Sequence, residues 1–453
     1  MQDVQNFKQL IQANPEIRSY LQCGSGPGLV TITRAPGRLD VLGGVGDYSG
    51  ALVAEMSIAE AALAALRPRT DRRICFWSFG IESENLTPQV SMSLDEFFVD
   101  GRLADYPAVH ARLCRDPKPR WAAYLAGCFY VLLAEKVIDC FRNGANIFLQ
   151  SHVPLGAGVS SSAAIEVATM QAINRAYELG LDGVTLARLA QSVENRVVGA
   201  PCGIMDQMSS ALCERDSLLL LLCQPHEIQG TQKLPEGVRV FGINSNIKHS
   251  VGGSSYTRAR VAAFMGRRII GVDYLANISL ETYERLWRQQ LPESILGSDF
   301  LNAYGETGDT VTQIDPEVLY NVRTATGHGI NEHNRVMQFT DCLIAQPVNI
   351  TLAGQLMYEA HASYTNIGLG SEETDLIVEF ARAAGPTKGI YGAKISGGGS
   401  GGTVAILTSG DDAEAAVHEI AAAYGQKTGL TPQLFVGGAS PGAIAFGDET
   451  MSL

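Results

Sequence analysis

The segment Pro154-Leu155-Gly156-Ala157-Gly158-Val159-Ser160-Ser161-Ser162-Ala163-Ala164 sets two glycines and three serines directly ahead of an apolar-periodic run. Such a loop exposes backbone N–H groups and hydroxyls where a helix begins. The positive end of the helix dipole faces the same spot, so the chemistry it suits is phosphate binding. Neither a Walker loop nor an ordinary dinucleotide fingerprint is involved. A Gly/Ser turn that only caps a helix needs a single serine, and this loop carries more than a cap requires.

A second run, Gly397-Gly398-Gly399-Ser400-Gly401-Gly402, formally contains GxGxxG. The dinucleotide version must open a helix. Here Thr403-Val404-Ala405-Ile406-Leu407 follows, which reads as a strand. The run is therefore expected as a hairpin loop, either a wide connection or a wall of N–H groups closing over phosphates or substrate. A third constellation is Arg34-Ala35-Pro36-Gly37-Arg38-Leu39-Asp40, continuing to Asp47-Tyr48 and read as a tight turn. Its opposite charges suit an ion-pair network as well as a site. Pro201-Cys202-Gly203-Ile204-Met205-Asp206-Gln207 goes with it. Asp206 follows a turn and sits among apolar residues, so its carboxylate is either a helix cap or a catalytic group with a perturbed pKa.

The elements that must position these groups follow from periodicity. Residues 1–22 read as one short amphipathic helix, and Leu29 to Thr33 as a strand leading into a glycine-rich turn. Residues 51–78 alternate as strands, and 83–118 read as irregular with one short helix near Leu94 to Phe98. Trp121 to Val137 has helical spacing, and Asn146 to Leu149 is a strand feeding the Ser-rich loop. The helix after that loop should end near Gly180, a C-cap. A second helix runs from Leu186 to Val198, and Leu218 to Leu222 and Val238 to Ile243 are strands. Residues 255–345 read as mainly helical, broken between Gly305 and Gly308. Helices near 353–363, 371–384 and 412–425 and a closing strand near 433–436 complete the chain.

With 453 residues, 46% hydrophobic and 18% charged, the chain should fold as more than one globular unit. No repeat or linker marks the border, which falls near 225–245 and divides the chain into 1–235 and 236–453. A net charge of −13 argues against nucleic acid or an anionic membrane as partner. The nine cysteines never form CxxC, which suits thiols in a reducing compartment. The N-terminus lacks a signal-peptide pattern and no apolar run is long enough to span a bilayer, so the cytoplasm is expected.

Taken together, these segments resemble the GHMP small-molecule kinase superfamily and, within it, the galactokinase-like sugar kinases. The likeness extends to Trp121-Ala122-Ala123-Tyr124, Asn244-Ser245-Asn246 with His249-Ser250 and Tyr256, and Leu356-Met357 with His361. The resemblance implies an α+β fold of two domains, ribosomal-S5-like and then ferredoxin-like, with ATP and sugar between them. It also implies transfer of the ATP γ-phosphoryl to the anomeric hydroxyl of a monosaccharide. By position, Pro154, Gly156, Ala157, Gly158, Ser160, Ser161, Ser162 and Ala163 would hold ATP, with Gly397, Gly398, Gly399 and Gly401 in the third motif. Ser162 and Glu194 would hold Mg²⁺, a hard cation suited to oxygen ligands. Asp206 matches the catalytic base and Arg38 the charge-stabilising arginine beside it. Asp47, Tyr256 and Gly203 fall at sugar-binding positions. Trp121 is a candidate for the adenine pocket or a core tryptophan.

In galactokinases the first motif resembles RVNLIGEHTDY; here it is RLDVLGGVGDY. Gly44 stands at the glutamate position, Val45 at the histidine position and Asp40 at the asparagine position. In the family that Glu/His pair grips the C6 hydroxymethyl of galactose. Gly and Val suit a sugar lacking that group, and L-arabinopyranose is galactose without it. The strings RLDVLGG-x-x-DYSG and GAKISGGGSGGTV also resemble plant L-arabinokinases. The expected activity is thus L-arabinose 1-kinase, with galactokinase as the alternative and a non-catalytic sugar- and ATP-binding regulator behind both. Restoring Glu and His at 44 and 45 is expected to move preference toward galactose.

Overall fold

The computed structural model describes residues 1–247 and 254–453. His249 and Ser250 lie outside the described residues. The larger sheet runs, edge to edge, 449–451, 30–42, 52–68, 145–151, 73–78 and 89–93. Strand Leu52–Pro68 is long enough to serve two neighbours on one side. Its first residues pair with Ser217–Leu222 and its last with Ala145–Ser151. Helices Ala122–Ala134, Ser161–Ala176, Gly183–Ser192 and Met205–Leu212 bury the sheet's face in one apolar core.

The smaller sheet is antiparallel, in the order 390–395, 403–409, 238–244, 433–436. Helices Glu372–Ala384 and Ala413–Thr428 cover it through Ile377, Val378, Val417 and Ile420. Helix Ser254–Ile270 packs along Val322–Ile344 over a third core that includes Val261, Phe300 and Ile330. The terminal strand Glu449–Met451 returns to the larger sheet and pairs with Val30 to Ile32. Among the described residues no helix is long and apolar enough to cross a membrane.

Several sequence expectations change. The N-terminal segment is two helices, Gln2–Ala13 and Pro15–Gln22, because Pro15 opens the second and Asn14 caps it by accepting from the Glu16 and Ile17 amides. The helix expected to end at Gly180 stops at Ala176. The region 83–118 also contains strand Gln89–Ser93 and helix Tyr106–Leu113, whose N-terminus Asp105 caps by accepting from Ala108 N. The mainly helical reading of 255–345 holds for its two long helices, while 271–296 is short pieces.

The change that matters most lies at Arg34 to Asp40. This segment is not a turn; it is the middle of strand Val30–Leu42. Pro36 lacks an N–H and would interrupt a regular ladder, but a bulge between Pro36 and Arg38 absorbs it. Gly37 passes so close to the Ser-rich loop that a Cβ there would stand 2.6 Å from Val159 O. The Arg38 amide then donates to that same carbonyl at 3.1 Å.

Candidate active site

A cavity of about 420 Å³ opens where the two sheets meet. Its walls come from the Ser-rich loop, from Arg38, Val45 and Asp47, from residues 198–206, and from Gly397 and Gly398. Tyr256, Arg120 and Tyr124 complete it.

At the loop, Gly156, Gly158 and Ser160 take φ values of 72°, 71° and 62°. The first intrahelical bond of Ser161–Ala176 is Ala164 N to Ser160 O at 3.0 Å. The amides of Ser161, Ser162 and Ala163 therefore precede the helix's own ladder. Ser160 occupies the N-cap position without capping, and its buried hydroxyl has no partner among the described residues. Ser161 donates to Val153 O at 3.1 Å, and Ser162 stands by Glu194, favouring its charged form. The three serines thus do three different things, none of them the cap. Ala163 is wholly buried and lines neither this cavity nor its neighbour. That neighbour, about 270 Å³ and more apolar, is lined by Phe79, Ile81, Leu86, Trp121 and Ile165 beside Leu155 and Ser162. Trp121 also donates from Nε1 to Thr87 O at 2.7 Å.

Asp206 sits in the first turn of Met205–Leu212 and caps nothing. Arg38 reaches it from the strand, with Nε and Nη2 donating to Oδ1 at 3.1 and 2.8 Å. Among the described residues Oδ2 has no such donor. Arg38 Nη1 also donates to Gly158 O at 2.7 Å, and Nε lies 3.3 Å from Glu55 Oε2. Burial opposes the guanidinium's charge, but Asp206 and Glu55 outweigh it and hold Arg38 above its ordinary pKa.

At the other end, Asp47 is buried and its carboxyl is raised to about 6. Burial is the main cause, the Asp206 charge adds to it, and Arg260 acts against both. Its backbone neighbour Tyr48 N donates to Oδ1 at 2.9 Å. Gly203 must be glycine here, because a Cβ would overlap the Asp47 carboxylate, with Oδ1 at 2.9 Å. Val45 lines the cavity at φ 60°, a strained conformation for a β-branched residue. Packing against Tyr256, Tyr364, Ile367 and Leu369 holds it there.

Two expected sugar contacts lie elsewhere. Gly44 and Asp40 are not part of the cavity wall. Asp40 is fully buried behind it, where its Oδ2 accepts from Lys394 Nζ at 2.7 Å and Gly397 N at 3.1 Å. Beyond Asp40 the chain turns so that, of residues 41–47, Val45 and Asp47 reach the cavity. Of the third motif, only Gly397 and Gly398 line it. A Cβ on Gly399 would meet Leu369, and one on Gly401 would meet Ile247.

Glu194 is buried, with its carboxyl raised to about 7 by burial and by Asp206, partly offset by Ser162. Gln207 Nε2 bridges Glu194 at 2.7 Å and Glu166 at 3.1 Å. Among the described residues no three His, Cys, Asp or Glu side chains converge as metal ligands. The sequence reading missed Glu55, Lys394, Arg120 and Tyr364. Lys394 was findable as the one charge in the apolar strand Ile390–Ile395, while Glu55 shares strand Leu52–Pro68 with Glu60 and Arg67 and stands out less. Tyr364 was not findable, because its place on helix Ile350–Asn366 looks like any core tyrosine.

The family model for the GHMP kinases N terminal domain matches residues 124–214, and that for the GHMP kinases C terminal matches 348–426. The chain is 37% identical to an L-arabinokinase of Arabidopsis thaliana, covering 92% of this chain and 46% of that protein. It thus spans about half the length of that relative. It is 32% identical to a galactokinase of Chloroflexus aggregans, covering 89% of this chain and 90% of the other. The fold matches Lactococcus lactis galactokinase complexed with galactose, with a TM-score of 0.75 at 20% identity over 98% and 100% of the two chains. A mevalonate kinase matches at a TM-score of 0.54 and 15% identity, over 89% and 98%. On these likenesses and its two-sheet architecture, the chain belongs to the GHMP kinase family, among the sugar kinases of galactokinase and L-arabinokinase type.

Proposed function

We propose that this chain is an ATP-dependent sugar 1-kinase whose acceptor is L-arabinose. The observation that carries the choice of sugar is the cavity wall at Val45. The Val45 side chain offers no hydrogen bond, while Asp47 beside it does. A hydroxymethyl group buried there would leave its hydroxyl unpaired, at a cost of about 1–3 kcal/mol. A pentopyranose without that group leaves nothing unpaired. The identity with an L-arabinokinase supports the same choice. A galactokinase reading is favoured by the relative of that name, which matches this chain over most of both lengths.

In this reading the Ser-rich loop binds the ATP phosphates through the amides at the helix start and the unpartnered Ser160 hydroxyl. The more apolar neighbouring cavity takes adenine against Trp121. Asp47 and Tyr256 orient the sugar. The anomeric oxygen attacks the γ-phosphorus, the bond to the ADP oxygen breaks, and Asp206 Oδ2 takes the hydroxyl proton. Arg38 fixes Asp206 through Oδ1 and keeps its own charge close to the transferring group. Ser162 and Glu194 fit Mg²⁺, which is held by one or two oxygen ligands plus substrate phosphates rather than by a protein cage. When bound, it would neutralise phosphate charge. Glu194, raised to about 7 by burial, is a carboxylate that a cation would help to ionise.

The test is ATP turnover with a panel of free sugars. L-arabinose should exceed galactose in kcat/KM by about 10–200-fold, the range an apolar pocket gives for one added group. Galactose preferred by a wide margin would overturn the pentose reading. Both ligands binding without sugar-dependent ADP release would favour a regulator.

A further inference from the structure

Gly44 bears no side chain, although the cavity wall begins one residue later. The reason lies behind it. A Cβ built on Gly44 would overlap Asp40 Oδ2 and the Tyr364 hydroxyl, with the Asp40 carboxyl carbon at 2.8 Å. That carboxylate cannot easily yield. Lys394 Nζ, wholly buried, holds Oδ2 at 2.7 Å and the Asp40 carbonyl at 3.2 Å. The Gly397 amide reaches Oδ2 at 3.1 Å, and the Tyr364 hydroxyl lies 3.2 Å from it and 2.8 Å from Gly397 O. Ser396 Oγ accepts from the Asp40 amide at 2.9 Å. Across the ladder Asp40 faces Glu55, a second buried acid, so the Lys394 ammonium is needed to hold the carboxylate there.

We infer that Asp40, held by Lys394, is a specificity-determining positioning residue. Its carboxylate fills the space through which any side chain at position 44 must leave the backbone. It therefore reserves that end of the acceptor pocket for a bare backbone. The same cluster ties strand 30–42 to the Gly397 backbone on the opposite wall. The inference rests on the sugar-kinase reading above but not on which sugar is preferred. One consequence reverses the sequence expectation. Replacing Gly44 and Val45 by Glu and His in the native chain lowers turnover of both sugars instead of exchanging them.

The test is a double-mutant cycle on whichever sugar the native chain phosphorylates fastest, reading KM for sugar, KM for ATP and kcat. Gly44→Ala in the native chain should raise the sugar KM about tenfold, within the coupling expected of contacting residues, and change the ATP KM less than about twofold. In an Asp40→Ala/Lys394→Met/Tyr364→Phe background, which removes the carboxylate, the ammonium it would orphan and the hydroxyl that also meets the added Cβ, adding Gly44→Ala should cost less than about twofold more. Asp40→Asn keeps the shape of the carboxylate, so in that background the Gly44→Ala penalty should persist. If the alanine background does not fold, Asp40→Ser/Lys394→Met/Tyr364→Phe replaces it. Equal penalties in the native and shortened backgrounds, or a harmless Gly44→Ala in the native chain, would overturn the inference. Such a result leaves the pentose preference standing, and a native chain that prefers galactose leaves the cycle standing.

Discussion

The two ends of the cavity are built in opposite ways. The end proposed to take the phosphoryl donor is one contiguous segment, residues 154–162, which offers the chain's own amides and a hydroxyl. The acceptor end gathers Val45, Asp47, Gly203 and Tyr256 from three separate stretches, with Asp40, Lys394 and Tyr364 packed behind them. Backbone chemistry at a helix start is local and tolerant of substitution nearby. An acceptor pocket whose walls rest on buried side chains is not: its specificity sits partly in residues that touch no ligand.

Asp206 stands between the two ends, so removing it should break the transfer that joins them. Asp206→Asn should lower kcat by about 10²–10⁴-fold, the usual loss for a general base, with little change in ATP affinity. Single-turnover phosphoryl transfer at saturating sugar checks this, and near-normal turnover would remove Asp206 from the role.

Gly203→Ala strikes the acceptor end alone. Its Cβ would displace the Asp47 carboxylate, and a displacement on the order of 1 Å can cost about 10²-fold. The expected loss is in sugar kcat/KM, with the ATP KM unmoved. If ATP suffers equally, the two ends are not separable.

Ser160→Ala is the donor-end counterpart. One hydrogen bond to a charged phosphate contributes about 1.5–3 kcal/mol, so the ATP KM should rise about tenfold or somewhat more while the sugar KM stays level. Calorimetric titration with a non-hydrolysable ATP analogue measures it.

Acid should weaken the acceptor end through Asp47. With its carboxyl raised from 3.8 to about 6, Asp47 accepts sugar hydroxyls above about pH 6 and loses that ability as pH falls through it. The sugar KM should rise about tenfold for each unit below that value and stay flat above pH 7. The sign for stability is opposite. The folded carboxyl binds its proton more tightly than the unfolded one, so this group makes the fold less stable as pH rises from about 4 to about 6. Denaturant titrations at pH 4 and pH 7 of the native chain and Asp47→Asn separate that contribution.

Much of this was legible in the linear chain. The Ser-rich loop and the strand–loop–strand at 390–407 follow from periodicity and from glycine and serine chemistry, which act over a few residues, while the two-domain architecture came from the family resemblance. Arg38 to Asp40 was misjudged as a turn because proline and glycine usually mark one. A bulge against the partner strand allowed the ladder to continue. Gly180 misled for a related reason: its positive φ is real, but it lies beyond the helix end.

The residue types alone determined that this chain carries a helix start suited to phosphate, a carboxylate at the start of a short helix and a first motif stripped of side-chain hydrogen-bonding groups at 44 and 45. Only the tertiary structure decided what that stripping means. Position 45 faces the cavity and position 44 does not, because the Asp40 carboxylate, paired with a lysine 354 residues away, already fills its space. Excluded volume between distant segments has no signature in local spacing, and here it sets which of two adjacent residues faces the cavity.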